Sequence, residues 1–206
     1  MKYSDIDSRK TAFIFELDNV IYPEKDYLFQ VYYLFAGMLE YIGPTDSKTA
    51  TELMVSTYLE GGKDNVFDAL QQKFGIDEKY RANLQHMMLT AKLPLKLLVY
   101  KNVLNMLQEI VVDRKQLFIV TNGNPQQQLN KIKQIEWNGL EPYLVCYFAE
   151  ETVPKPEADV IDQLLQTHNL QRRDVLMVGH STIDRLCAEN AGVDYLDVEE
   201  FLDQEN

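Results

Sequence analysis

At 206 residues, 46% of them hydrophobic and 25% charged, the chain can bury a sizeable core and could hold one domain with an insertion or two small domains. Its 32 acidic residues against 20 Lys and Arg give a net charge of −12, which argues against nucleic acid or an anionic membrane surface as main partner, since both need a positive footprint. No apolar run approaches the length of a bilayer span. The two cysteines, Cys146 and Cys187, form no spacing pattern and no apolar signal segment opens the chain, which together predict a reduced, cytoplasmic home. The histidines His86, His168 and His180 lie too far apart for a local metal motif.

After a polar start, Ala12 to Leu17 is a short aromatic and β-branched run that predicts a strand buried on both faces. From Tyr27 to Ile42, residues Leu28, Val31, Leu34, Phe35, Met38, Leu39 and Ile42 recur at helical spacing, and Gly43-Pro44 stops the helix. Further helices are predicted from Lys48 to about Leu59, from Asn65 to Phe74 with Asp64 as cap and Gly75 as stop, and near Glu78 to Met88. Nothing between Tyr27 and Lys92 reads as a strand.

The pattern then changes. Val103, Leu104, Leu107, Ile110 and Val111 describe a helix, Leu117 to Val120 a buried strand, and Pro125 to Ile135 a helix capped by Asn124 with Pro at its first position. Strands at Leu144 to Phe148, Val175 to Val178 and Val193 to Leu196 alternate with helices at Pro156 to Gln166 and Ile183 to Asn190. Alternation of this kind means right-handed crossovers and a parallel sheet. The chain therefore reads as one α/β core interrupted, after its first strand, by an all-helical insertion.

Ligands in such sheets sit at the carboxyl ends of the strands, and the polar clusters fall there. Glu16 and Asp18 leave the first strand two residues apart and so on one side. Like charges held that close call for a shared cation or a proton to hand over. Thr121-Asn122-Gly123-Asn124 precedes a helix and offers a hydroxyl, an amide and backbone N–H groups as an anion cradle. Lys155-Pro156 places a cation before the next helix, and Gly179 to Asp184 makes a glycine turn leading to His180 and Asp184. Singly, these read as plainly as solvated acids, a capped turn, a loop lysine and a turn histidine.

In this order, each after a buried strand, the clusters resemble the haloacid dehalogenase superfamily, mostly phosphatases, over nearly the whole chain. FELDNVIYPEKDY is similar to the family's first motif, and FIVTNGNP, FAEETVPKPE and LMVGHSTID to its second, third and fourth. The resemblance implies a Rossmann-like three-layer α/β/α core with a parallel sheet at residues 1–22 and 99–206. It implies an inserted helical cap at 23–98, with Tyr27, Tyr32 and Tyr33 as candidates for lining the site. It also implies roles: Glu16 at the position of the attacking Asp, Asp18 as general acid and base, Thr121 and Asn122 on the phosphate oxygens, and Lys155 neutralising the transferring phosphoryl group. Mg²⁺ would be held by Glu16, the carbonyl at Asp18, His180 and Asp184. The implied partner is a small phosphorylated metabolite.

Two departures touch the chemistry. Glu16 in place of Asp adds a methylene and moves the carboxylate by roughly 1.5 Å, where a misplacement of about 1 Å can cost on the order of 10²-fold in rate. His180 in place of Asp exchanges a hard oxygen for an imidazole nitrogen, which lowers Mg²⁺ affinity and suits Mn²⁺ or Zn²⁺ better. Two functions stay open on these residues: a phosphatase-type hydrolase of a small phosphomonoester with weak or altered activity, and a catalytically inactive relative that binds a phosphorylated ligand or a protein partner. A plain interaction module is a third.

Overall fold

The run Ala12–Phe15 forms β1, and every one of its side chains is buried. In this computed structural model, which describes residues 1–202, the chain divides into two compact units, residues 1–24 with 97–206, and residues 25–96. In the first unit β1 is the central strand of a five-stranded parallel sheet. The others are β3 (Gln116–Thr121), β5 (Leu144–Phe148), β6 (Val175–Gly179) and β7 (Asp194–Asp197), in the spatial order β5-β3-β1-β6-β7. The short parallel pair β2 (Leu97–Leu98) and β4 (Ile135–Glu136) lies apart from it. Two residues carry no periodicity, which is why no sequence pattern announced that pair.

The sheet is buried on both faces, and the two-residue period of β1 sorts its side chains. Ala12 and Ile14 join Phe118, Val120, Val175 and Met177 beneath α7 (Asp159–Thr167) and α8 (Thr182–Ala191), through Val160, Ile161, Leu164, Cys187 and Ala188. Phe13, Phe15, Leu117, Ile119, Leu176 and Val178 are buried outside that cluster. On α5 (Lys101–Val112), which packs against β3, the buried stripe is Val103, Met106, Leu107 and Ile110. This is a Rossmann-like α/β fold with helices flanking a parallel sheet.

The parallel register brings the strand exits together. Phe15 pairs with Ile119 on one side and Val178 on the other, so Glu16, Thr121 and Gly179 leave the sheet along one edge. β1 ends at Phe15 rather than Leu17 because the chain turns at once. Asn19 adopts a left-handed φ of 61°, a conformation in which Asn is enriched; its N–H donates to the Tyr22 carbonyl at 2.8 Å, and Ile21 N–H to Leu17 at 2.9 Å. Asn124 caps α6 (Pro125–Ile132), accepting from the N–H groups of Gln126 and Gln127. The helix stops three residues earlier than its sequence suggests, where Trp137 Nε1 donates to the Ile132 carbonyl at 2.9 Å. α7 begins at Asp159, not Pro156: α8 takes the preceding carbonyls, through Asn190 Nδ2 on Pro156 at 2.9 Å and Cys187 Sγ on Glu157 at 3.2 Å.

The second unit is helical: α1 (Glu24–Ile42), α2 (Ser47–Gly61), α3 (Val66–Phe74) and α4 (Arg81–Thr90). Asp46 caps α2, accepting from Thr49 N–H at 2.8 Å. Asp64 falls inside a 3₁₀ turn, Lys63–Asn65, rather than capping α3, and Gly75 closes that helix at a left-handed φ of 68°. Tyr27 donates its hydroxyl to the Met88 carbonyl at 2.6 Å, Tyr32 packs with Phe29 and Tyr58, and Tyr33 is exposed. Among the described residues no helix is long and apolar enough to cross a membrane.

Candidate functional site

Of the strand-end residues singled out from the sequence, Glu16, Asp18, Thr121, Asn122, Lys155 and Asp184 converge within the α/β unit on one polar network, and the His180 side chain does not. Glu16 continues the ladder, its N–H donating to the Val178 carbonyl at 3.1 Å. Its Oε1 accepts from the Thr121 hydroxyl at 2.5 Å and its Oε2 from the Lys155 ammonium. Lys155 also donates to Asp184 Oδ1 at 2.5 Å. Glu16, Thr121, Lys155 and Asp184 are all buried. Buried charges persist only when paired and hydrogen-bonded, and here one ammonium serves two carboxylates.

Local structure places each group. Asn122 fixes the lysine loop by a reciprocal pair, its Nδ2 donating to the Lys155 carbonyl and its Oδ1 accepting the Lys155 N–H, each at 3.0 Å. Lys155 thereby reaches inward, although its sequence context reads as a solvated loop. Asp184 sits in a capping box with Ser181 at the start of α8. Its Oδ2 accepts from Ser181 Oγ at 2.7 Å and from the N–H groups of Ser181 and His180 at 3.0 and 3.2 Å. Gly179 is required by this approach: a Cβ there would lie 2.5 Å from Asp184 Cβ and 2.9 Å from Tyr195 Cε2.

Asp18 joins the network by a second route. Its Oδ1 accepts from the Tyr22 hydroxyl at 2.6 Å, and its Oδ2 from Gln128 Nε2 at 3.0 Å and Lys131 Nζ at 2.6 Å. Gln128 also donates to Thr121 Oγ1 at 2.7 Å, so the two carboxylates are linked through Gln128 and Thr121. Lys131 is 2% exposed and Gln128 3%. Tyr22, Gln128, Lys131 and Ser181 are the members that sequence reasoning missed. A signal existed for two of them: PQQQLNKI offers α6 few apolar residues, so a face packed on a sheet must bury polar ones.

The charges divide by environment. Burial raises the Glu16 carboxyl above the usual carboxylate range, the neighbouring Asp184 adds to this, and Lys155 only partly offsets it. Burial alone would raise Asp18 as well, but the Lys131 ammonium with Tyr22 and Gln128 outweighs it, and Asp18 stays below its ordinary value. Asp184 is likewise held low against burial by Lys155 and Ser181. Lys155 is raised, the two carboxylates overcoming its desolvation.

The resemblance would place Mg²⁺ on Glu16, the backbone carbonyl of Asp18, His180 and Asp184. The donor set does not fit it. The Lys155 ammonium already bridges the Glu16 and Asp184 carboxylates, where a shared cation would have to sit, whereas Mg²⁺ demands near-ideal octahedral oxygen ligands. With their N–H groups directed at Asp184, residues 180 and 181 leave the imidazole outside the carboxylate cluster. His180 is 42% exposed at its side chain, with Nδ1 3.8 Å from Glu199. That placement also keeps it from offering a nitrogen to Mn²⁺ or Zn²⁺ beside Glu16. Among the described residues no group of three or more His, Cys, Asp or Glu side chains is arranged to hold a metal ion.

The family model for haloacid dehalogenase-like hydrolases matches residues 13–198. No functionally curated protein matches the sequence. Similar solved structures include a candidate β-phosphoglucomutase from Thermotoga maritima, at 16% identity and a TM-score of 0.64, covering 93% of this chain and 96% of that one. A candidate phosphoglycolate phosphatase from Lactobacillus plantarum is similar at 16% identity and 0.55, covering 95% and 89%. A HAD-superfamily hydrolase from Geobacter sulfurreducens is similar at 20% identity and 0.53, covering 92% and 89%. At these identities the structural likeness concerns the fold.

Proposed function

The chain belongs to the haloacid dehalogenase-like hydrolases, and on that premise we propose that its strand-end network binds the phosphoryl group of a small phosphomonoester, with Glu16 as the attacking carboxylate and turnover slow. The observation that carries this reading is the setting of Glu16, a buried carboxylate held between the Thr121 hydroxyl and the Lys155 ammonium at the joined ends of β1 and β3. Two of the similar structures bear the names of enzymes of small phosphorylated compounds, which agrees with it.

In the reaction Glu16 forms a bond to phosphorus as the ester P–O bond breaks, and the electron pair leaves with the alcohol oxygen. Lys155 offsets the charge of the phosphoryl oxygens, part of the positioning and electrostatic stabilisation on which phosphoryl transfer depends. Water then attacks phosphorus, releasing phosphate and restoring Glu16. The leaving oxygen draws its proton from water, because Asp18, ionised against Lys131, has none to hand over. That contact and the added methylene of Glu16 are the reasons for slow turnover. The role of the helical segment as a substrate-selecting cap belongs to the same proposal and rests on its place in the chain.

The same Asp18 contacts favour a second reading, a receptor for the phosphorylated ligand that does not turn it over. Hydrolysis of an aryl phosphate in EDTA and with Mg²⁺, Mn²⁺, Zn²⁺ or Co²⁺, beside calorimetric titration with inorganic phosphate, separates the two. Turnover above a Glu16→Ala control supports the hydrolase, and binding without turnover supports the receptor. A protein that does neither has no phosphoryl site here.

A further inference from the structure

Resting on that reading of the site, we infer that Lys131 supplies the fixed positive charge that a divalent cation would otherwise bring, so that this site takes up phosphate without a metal. The starting observation is a lysine that is 2% exposed with its ammonium 2.6 Å from Asp18 Oδ2. Lysine is almost never buried this fully unless paired. Its position on α6 is an inward one that an apolar side chain would fill at lower cost, since a buried ion pair is commonly no more stabilising than hydrophobic residues of the same volume. On the same helix Leu129 is 40% exposed while Gln128 and Lys131 point inward. The helix thus turns its leucine outward and its amide and ammonium towards the acids.

Charge arithmetic says what this does. The network holds three carboxylates, Glu16, Asp18 and Asp184, against two ammonium groups, Lys131 and Lys155, leaving one net negative charge. Without Lys131 it would carry two, and a phosphate dianion would enter against that field. The residues present do not fit a divalent metal: the Lys155 ammonium bridges the Glu16 and Asp184 carboxylates, and the exposed imidazole of His180 lies beside Glu199. Lys131 acts through Asp18 and is a positioning residue, neutralising the acid that flanks the phosphoryl position.

The test is isothermal titration of inorganic phosphate, in EDTA and in millimolar Mg²⁺, into the wild type, Lys131→Met, Asp18→Asn and the double variant, with circular dichroism checking the fold of each. The net charge of the network predicts the order. Asp18→Asn binds more tightly than the wild type, the double variant resembles the wild type, and Lys131→Met binds roughly tenfold or more weakly in EDTA. Mg²⁺ restores part of the loss in Lys131→Met alone, because only there is a carboxylate left without its ammonium. A purely structural role for Lys131 would not give this order or create a metal response. Phosphate binding by the wild type that needs Mg²⁺, or equal binding by Lys131→Met and the wild type, overturns the inference while leaving the phosphoryl site standing. Absence of phosphate binding by the wild type under both conditions removes the site and the inference together. If Lys131→Met does not fold, the Mg²⁺ response of the wild type and the comparison of Asp18→Asn with the double variant decide it.

Discussion

Replacing Lys155 with Met removes the ammonium shared by Glu16 and Asp184 and keeps the volume of its aliphatic stem. Breaking a buried ion pair from one side costs about 3–5 kcal/mol, because a charge is left desolvated and unpaired. A Coulomb estimate at an effective dielectric constant of about 20 and a separation of about 4 Å gives a similar figure of roughly 4 kcal/mol. The cost must depend on pH. In the wild type Asp184 lies below its ordinary value, so it contributes stability above its unfolded-state pKa and loses it as pH falls through the folded one. In the variant both carboxylates lose their cation, rise, and neutralise by taking protons, Glu16 first because burial already raises it. Lys155 itself is raised, so its contribution is lost only as pH climbs through its folded-state value, outside the range tested. Thermal melts of wild type and Lys155→Met should therefore differ by roughly 6–20 °C near neutral pH, and the difference should shrink on acidification. A loss of the same size at mildly acid and neutral pH would refute the assignment of the cost to unpaired carboxylates. A loss below about 1 kcal/mol would refute the burial of the pair itself.

Other substitutions probe the supports of the site. Glu16→Gln keeps the shape of the side chain without its charge. A raised folded-state pKa means that the contribution of Glu16 is complete below its unfolded value and lost as pH rises through the folded one, so the variant should gain on the wild type in melts run from about pH 4 to about pH 8. Gly179→Ala sets a methyl against Asp184 Cβ and the Tyr195 ring and should destabilise by about 1–3 kcal/mol in urea titrations, more than an alanine at any solvent-facing turn. Ser181→Ala removes the cap of α8 together with a 2.7 Å hydrogen bond to Asp184, for an expected loss of about 1 kcal/mol by the same measurement.

The sheet was readable because its strands are short apolar runs spaced by helices, and the convergence of Glu16, Thr121, Lys155 and Asp184 followed from the rule that ligand groups gather at carboxyl strand ends. Boundaries were less readable. Leu17 prolongs the apolar run of β1, but Asn19 turns the chain, and a left-handed Asn carries no hydropathy signal. Lys155 reads as solvated because nothing local shows that Asn122, some thirty residues earlier, grips its backbone from both sides. His180 shows the opposite limit: sequence fixes its place in the turn, while its direction is set by N–H groups already aimed at Asp184.

Lys131 was hidden by the helical period itself. In an isolated segment, Gln128 and Lys131 at a spacing of three define a polar stripe, which ordinarily marks the face in solvent. Only the sheet decides which stripe is inside, and here it inverts the usual assignment because the acids at the end of β1 need partners. Asp18 and Lys131 each make the other's position intelligible: an acid at a buried strand exit demands a cation, and a lysine on a sheet-facing helix demands an acid. Read separately they look like a solvated carboxylate and a solvated ammonium. Read as one pair, 113 residues apart along the chain, they explain why a helix on this sheet presents charge where leucine would pack, and why Asp18 has no proton to give.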